Sequence, residues 1–318
     1  MKAIYSAVRY LFVAFAFVAA GCAQQPVQGV TAVVGQAPPG SFFENLALGP
    51  DEAFYITDYT KRRVMKFTES GGLVEHAKLD AYPLGIEFDS DGIMYLTAQE
   101  KDLFGGGGDM TNANWIYRAL PGQSPVKFLQ VSGANFLNGM IRQSPGKILI
   151  ADSRGGTIWS LDTRNAQVSR FFTDPRLDAT DTKSQTPAAN GLKLHKGSLY
   201  ISNTVSGVIY ALKLSDLGSP LDLSVFANGI RADDFAFSPN GTFFYTTHRD
   251  VVMMLDSAGK PQKVAGAETG VNGNTALGWD RRGRGPYVIS DGGYVANKWY
   301  GGPAPGPATI VRLTVAPN

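Results

Sequence analysis

The sequence predicts an all-β fold, a six-bladed β-propeller built from four-stranded antiparallel blades. Three observations predict it. One strand-turn-strand phrase recurs six times, its period is that of propeller blades, and no segment carries a helical stripe.

The six phrases are Glu44–Leu48, Leu84–Phe88, Asn138–Arg142, Asn190–Leu194, Asp233–Phe237 and Asn274–Gly278. Their starts are 40, 54, 52, 43 and 41 residues apart, and a period near 40–50 with several short strands is the signature of blades. A turn rich in Gly, Pro and Asp follows each phrase, as in Gly49-Pro50-Asp51-Glu52 and Ser238-Pro239-Asn240-Gly241. An alternating apolar strand comes next, for example Phe54-Tyr55-Ile56-Thr57 and Leu199-Tyr200-Ile201-Ser202.

Named A to D from the axis outward, these are strands A and B of each blade, with Arg63–Phe67 and Val208–Leu212 as examples of strand C. The last repeat reaches strand C at Ile310–Val315 and ends. Its outer strand is therefore expected from Val30–Val34, which closes the ring and covers an otherwise open sheet edge.

The domain plan is a signal peptide over 1–21, a lipidated linker and closing strand over 22–40, and the propeller over 41–318. Lys2 and Arg9 precede the apolar run Leu11–Ala20, which ends at Ala19-Ala20-Gly21-Cys22. A basic start, a short apolar stretch and a small-residue cleavage site make a secretory signal too short to span a bilayer. Cys22, the single cysteine, stands where bacterial lipoproteins carry their lipid. With Ala23 after it, an envelope lipoprotein facing the periplasm from the outer membrane is expected if the cell is Gram-negative. That anchor would be the only membrane contact, and no disulfide is possible within the chain. Removing the signal takes away Lys2 and Arg9 and no acid, leaving 27 basic and 27 acidic residues. A formally neutral chain argues against a nucleic-acid partner, which selects a basic face. A monomer acting on a small molecule is expected.

In an up-and-down blade, the A–B turns lie on one face and the B–C and D–A loops on the other. The A–B turns here are short, whereas Gln99–Asn114, Asp174–Ala189 and Asp291–Ala308 are insertions that all fall on the second face. Long loops converging on one face point to a lidded pocket, with Trp115, Trp299 and Tyr300 as candidate apolar walls and Gly105–Gly108 as a flexible lid segment. Strand A begins at that same face, close to the axis. Its first residues are Glu44, Leu84, Asn138, Asn190, Asp233 and Asn274. Two carboxylates and three amides aimed at one point need partners, because buried charge is costly when unpaired. Hard oxygen donors suit a divalent cation; a water-filled channel with a polar rim is the other reading of the same pattern. Asp58, Asp152, Asn203, His248 and Asp291 close strand B at nearly one offset, which reads as turn capping. The three histidines have no metal-ligand spacing, and no G-x-S-x-G elbow is present.

Glu44, Asn138-Gly139, Asn190-Gly191-Leu192 and Asp233 resemble the motif residues of the gluconolactonase and senescence-marker-protein (regucalcin-like) family, over roughly residues 40–315. The resemblance implies a six-bladed propeller holding one divalent metal ion, Ca²⁺ in the first place, with Mg²⁺, Mn²⁺ or Zn²⁺ as alternatives. It implies Glu44, Asn190 and Asp233 as ligands, with Asn138 as a ligand or a substrate contact; Asp233, which would lie beside both metal and water, is the candidate catalytic base. Asp234 stands where relatives commonly have Gly and is an alternative ligand. Phe136 stands where sugar-lactonase members place an Arg, which implies a more apolar substrate. The implied function is metal-dependent hydrolysis of a lactone or ester. The rivals are a non-enzymatic ligand- or protein-binding propeller and a strictosidine-synthase-like condensation or cyclisation enzyme.

Overall fold

The computed structural model describes residues 30–105, 110–179 and 186–314. The signal segment, Cys22, Gly106–Gly108 and part of the Asp174–Ala189 insertion lie outside the described residues. What is described is a six-bladed propeller, six four-stranded antiparallel sheets arranged around one axis.

The chain enters on β1 (Val30–Pro39) and then runs outward from the axis in each blade. Blade 1 is β2 (Phe43–Leu48), β3 (Phe54–Asp58), β4 (Arg63–Thr68) and β5 (Gly72–Lys78). Blade 2 is β6 (Tyr82–Phe88), β7 (Met94–Gln99), β8 (Asn114–Ala119) and β9 (Val126–Gln130). Blade 3 is β10 (Leu137–Ser144), β11 (Lys147–Asp152), β12 (Thr157–Asp162) and β13 (Gln167–Thr173). Blade 4 is β14 (Ala189–His195), β15 (Ser198–Asn203), β16 (Val208–Leu214) and β17 (Pro220–Asn228). Blade 5 is β18 (Phe235–Phe237), β19 (Phe243–Thr246), β20 (Val251–Leu255) and β21 (Pro261–Gly266). Blade 6 is β22 (Asn274–Gly278), β23 (Tyr287–Ser290) and β24 (Pro307–Thr314), with β1 as its outer strand.

The closing strand is where the sequence places it, but it is longer than Val30–Val34 and pairs with β24 from Val30↔Thr314 to Pro39↔Pro307. The extra length seats Ala37 among Phe43, Phe67 and Ile310 between blades 6 and 1. Similar apolar clusters fill each of the other five blade junctions. Each blade therefore buries its faces only against its two neighbours, and the ring is stable only when closed. One expectation fails locally. The Asp291–Ala308 insertion contains a helix, α1 (Tyr294–Tyr300), whose seven residues are too few to show a periodic stripe.

Strand A carries an irregularity at the same register in five blades, between Phe43 and Leu46, Pro83 and Ile86, Leu137 and Met140, Ala189 and Leu192, and Asn274 and Leu277. A bulge frees two residues from the ladder and re-aims their side chains. The freed pairs are Glu44-Asn45, Leu84-Gly85, Asn138-Gly139, Asn190-Gly191 and Thr275-Ala276; the ladder contacts of blade 5 put Asp233-Asp234 at the same level. Blade 6 thus corrects the sequence reading: Thr275, not Asn274, takes the register position that Glu44 has in blade 1. Asn274 turns aside, accepting from the Thr247 N–H and donating to the carbonyls of Arg249 and Val271.

A hydroxyl on strand B satisfies the orphaned bulge amide and reaches across to the next blade. Thr97 Oγ1 accepts from Gly85 N at 2.7 Å and donates to Asn138 O at 2.9 Å. Thr57, Ser202 and Thr246 do the same in blades 1, 4 and 5. Where blade 3 has Ala151, Ser153 supplies the inter-blade bond to Ala189 O; Thr275 supplies it from blade 6 to Phe43 O. The glycine in the phrase has a steric cause. A Cβ on Gly85 would sit 2.2 Å from Asn138 O, and one on Gly139 would sit 2.5 Å from Asn190 O.

Candidate active site at the propeller axis

The bulges bring Glu44, Asn138, Asn190 and Asp233 together at the axial mouth. Glu44, Asn138 and Asp233 line one cavity, and Asn190 Nδ2 donates to Asp233 Oδ1 at 2.6 Å and to Thr204 Oγ1 at 3.2 Å. Glu44 Oε2 and Asn138 Oδ1 are buried without a hydrogen-bond partner. Such orphaned oxygens are expensive unless something positive or protic meets them. The second aspartate goes elsewhere: both oxygens of Asp234 accept from Lys193 Nζ, at 2.7 and 2.9 Å.

His248 is the residue the sequence reading misplaced. It does not cap a turn. Its Nδ1 lies 3.1 Å from Asp233 Oδ2 and its Nε2 lies 3.3 Å from Asp291 Oδ2, with φ at +53°. The other strand-B closers do act as caps. Asp58 accepts from Phe42 N, Asp152 from Asn135 N and Phe136 N, and Asn203 from Ser206 N. Asp291 accepts from the amides of Gly293, Tyr294 and Val295 at the start of α1, and holds His248 as well. The signal in the sequence was that His248 alone departs from the carboxylate and amide series at that position.

Charge is concentrated here. Burial first, then the neighbouring Asp233 carboxylate, push the Glu44 carboxyl up to about 8. Burial works against an imidazolium at His248, but Asp233 and Asp291 outweigh it and hold the ring protonated well above the usual histidine range. Burial also raises Asp234, against the pull of Lys193.

The insertions meet over this cluster, as their shared face requires. Leu103 and Phe104 come from the first and Val295 and Trp299 from the third, closing with Phe42, Tyr59 and Phe136 into an apolar cap. Phe104 stacks near Trp299 at 5.1 Å and Tyr294 at 5.3 Å between ring centres. Tyr59 tethers the first insertion, donating to Asp102 Oδ1 and accepting from Leu103 N. Of the other two expected wall residues, Trp115 packs between blades 1 and 2 instead, and Tyr300 lies at the rim of a neighbouring cavity. The capped axial space is about 30 Å³, room for one water or a bare ion.

The donors fit a hard divalent cation. Two orphaned oxygens and the Asp233 carboxylate line one small space, and Asn190, whose Nδ2 is bonded to Asp233, stands beside it as a further amide donor. Among the described residues no three His, Cys, Asp or Glu side chains are placed to hold a metal ion, so a site here depends on the two asparagine amides.

Fold and site together define a six-bladed propeller with an acidic, amide-lined, capped axial centre. No family profile matches the chain, and no curated protein matches it in sequence. Solved structures do match in fold. A luciferin-regenerating enzyme superposes with a TM-score of 0.67 at 11% identity, covering 90% of this chain and 95% of its own. The gluconolactonase XC5397 from Xanthomonas campestris gives 0.62 at 16% identity, covering 90% of each chain. A calcium-binding protein, regucalcin, from Agrobacterium tumefaciens gives 0.63 at 14% identity, covering 90% of this chain and 96% of its own. At these identities the likeness is one of fold.

Proposed function

We propose that the protein is a divalent-metal-dependent hydrolase of a lactone or ester. The observation that carries this reading is the pair of buried, unpartnered oxygens, Glu44 Oε2 and Asn138 Oδ1, beside Asp233 in a space the size of an ion. The fold likeness to a gluconolactonase and to a calcium-binding regucalcin supports it.

Glu44, Asn138, Asn190 and Asp233 would hold the cation, Ca²⁺ in the first place. When bound, it would polarise the ester carbonyl and stabilise the oxyanion that develops there. Asp233 accepts a proton from the attacking water. The water oxygen bonds to the carbonyl carbon, the acyl C–O bond breaks, and the departing alkoxide takes up a proton, giving a hydroxy acid from a lactone or an acid and an alcohol from an ester. His248 fixes the Asp233 carboxylate through Nδ1 while Asp291 fixes the ring through Nε2. Phe42, Phe104, Phe136 and Trp299 exclude bulk water, which strengthens each of these interactions. The apolar cap matches a substrate whose reacting end carries fewer hydroxyls than a sugar lactone.

A second reading rests on His248. Held between two carboxylates as an imidazolium, it places a positive charge at Asp233 without a metal. An export signal and a lipid on Cys22 would anchor the chain, as a monomer, to the cell envelope. The test is a panel of lactones and aryl esters, assayed after chelation and after adding back Ca²⁺, Mg²⁺, Mn²⁺ or Zn²⁺. Turnover that requires a cation is expected. Turnover indifferent to chelation transfers the chemistry to His248, and no turnover of any substrate leaves a binding propeller.

A further inference from the structure

Asp233 and His248 line two spaces. Besides the capped axial cavity, a second cavity of about 450 Å³ opens beside blades 4 and 5 and has both side chains in its wall. That is the size of a small-molecule site, and Val295 and Trp299 border both spaces. The wider cavity therefore adjoins the capped one and gives a ligand access to Asp233 and His248 from its own side.

Its rim is cationic. Arg231 lies two residues before Asp233 and Arg249 directly follows His248; both side chains line the cavity and both residues are exposed. The arginines held in ion pairs among the described residues are Arg63, Arg176, Arg284 and Arg312. Arg231 and Arg249 are not among them. The Arg249 guanidinium lies over the Tyr300 ring at 4.5 Å, a cation–π contact that does not itself consume its N–H donors. Among the described residues the only acid in the cavity wall is Asp233, at the buried end. The cavity is thus polarised, with two unpaired guanidinium groups outside and the reactive cluster inside.

We propose that this cavity selects a substrate bearing a carboxylate, held by Arg231 and Arg249 while its ester carbonyl reaches Asp233 and His248. The planar fork of Arg matches a carboxylate in two parallel hydrogen bonds. This assignment of substrate class rests on the hydrolase reading, but recognition is measurable without turnover.

The experiment is calorimetric titration of the intact mature chain with 3-oxocyclopentanecarboxylate, a ketone that cannot be hydrolysed, and with uncharged cyclopentanone. Kinetics with γ-butyrolactone and its ring-carboxylated form run in parallel. The carboxylated ketone should bind the wild type more tightly than cyclopentanone does. Arg231→Gln and Arg249→Gln should each weaken it by about tenfold or more, leaving cyclopentanone binding and the melting temperature unchanged. In kinetics the loss should fall on KM for the carboxylated lactone. Equal binding of the two ketones, failure of both to bind, or an unaltered double variant would overturn the proposal. If the carboxylated ketone binds as expected and neither lactone turns over, carboxylate recognition stands and the lactonase reading is lost.

Discussion

The His248 imidazole bridges Asp233 and Asp291, with Nδ1 3.1 Å from one carboxylate and Nε2 3.3 Å from the other. The bridge ties the segment that leads into β18 to the loop that opens α1, so the position of the cap and the position of the Asp233 carboxylate are set by one ring. It also supplies the nearest positive charge to a cluster that otherwise holds Glu44 and Asp233.

Replacing His248 by Gln keeps two hydrogen-bonding ends and removes the charge. Because the folded-state pKa is raised, the ring's contribution is complete below the unfolded pKa of about 6.5 and fades as pH rises through the folded value. H248Q should therefore lose roughly 2–4 kcal/mol of stability at acidic pH, toward the low side for a buried pair, and progressively less in alkali. Denaturant melts across pH measure this, and a loss that does not vary with pH assigns the ring to packing alone.

Glu44 has the same sign. Its carboxyl rises from 4.5 to about 8, so the folded protein retains a proton that the unfolded chain releases above 4.5. Stability of the metal-free protein should fall between those values, and E44Q should flatten the profile. Added Ca²⁺ should raise the melting temperature of the wild type at pH 8 and not that of E44Q. An equal rise in both would remove Glu44 from the cation site.

Asp233→Asn should lower kcat by about 10²–10⁴ with the circular dichroism spectrum unchanged, because the amide retains the shape and one acceptor. Retained activity would take Asp233 out of the reaction. Asp234→Asn, which faces Lys193 instead, should change stability more than turnover.

Ring closure is testable at β1. Deleting residues 30–36 leaves β24 as an open edge and uncovers the core around Ile310 and Phe67. The melting temperature should drop by roughly 10 °C or more; an unchanged value would mean the ring does not depend on this strand.

Thr97→Val keeps the volume and deletes a hydroxyl that serves both Gly85 N and Asn138 O. A loss of about 1–3 kcal/mol is expected from the unsatisfied buried groups. The same exchange at the exposed Thr314, at the end of β24, is the control and should be close to neutral.

The blade count, the strand order, the closing strand and the face that carries the insertions were legible because a propeller repeats. Six copies of one alternating phrase show period and register directly, and Glu44, Asn138, Asn190 and Asp233 stood out as polar residues at one repeated position. Three things were not legible. Thr275 replaces Asn274 because the bulge register in blade 6 is set by pairing with β23, which a lone phrase does not reveal. Helix α1 is shorter than two full periods. His248 sits at nearly its neighbours' offset, and although it departs from their carboxylate and amide series, where its ring turns is decided by Asp233 and Asp291.

By itself the sequence determined the scaffold, since local alternation and turn chemistry repeat along the chain and need no long-range information. It also determined which residue types face the axis. Tertiary structure alone decided which of two adjacent aspartates joins the site, that the insertions cap it, and that Arg231 and Arg249 share a cavity with Asp233 and His248. The physical reason is that these depend on contacts between blades and loops far apart in the chain. Such contacts are fixed when the ring closes and its bulges re-aim the side chains.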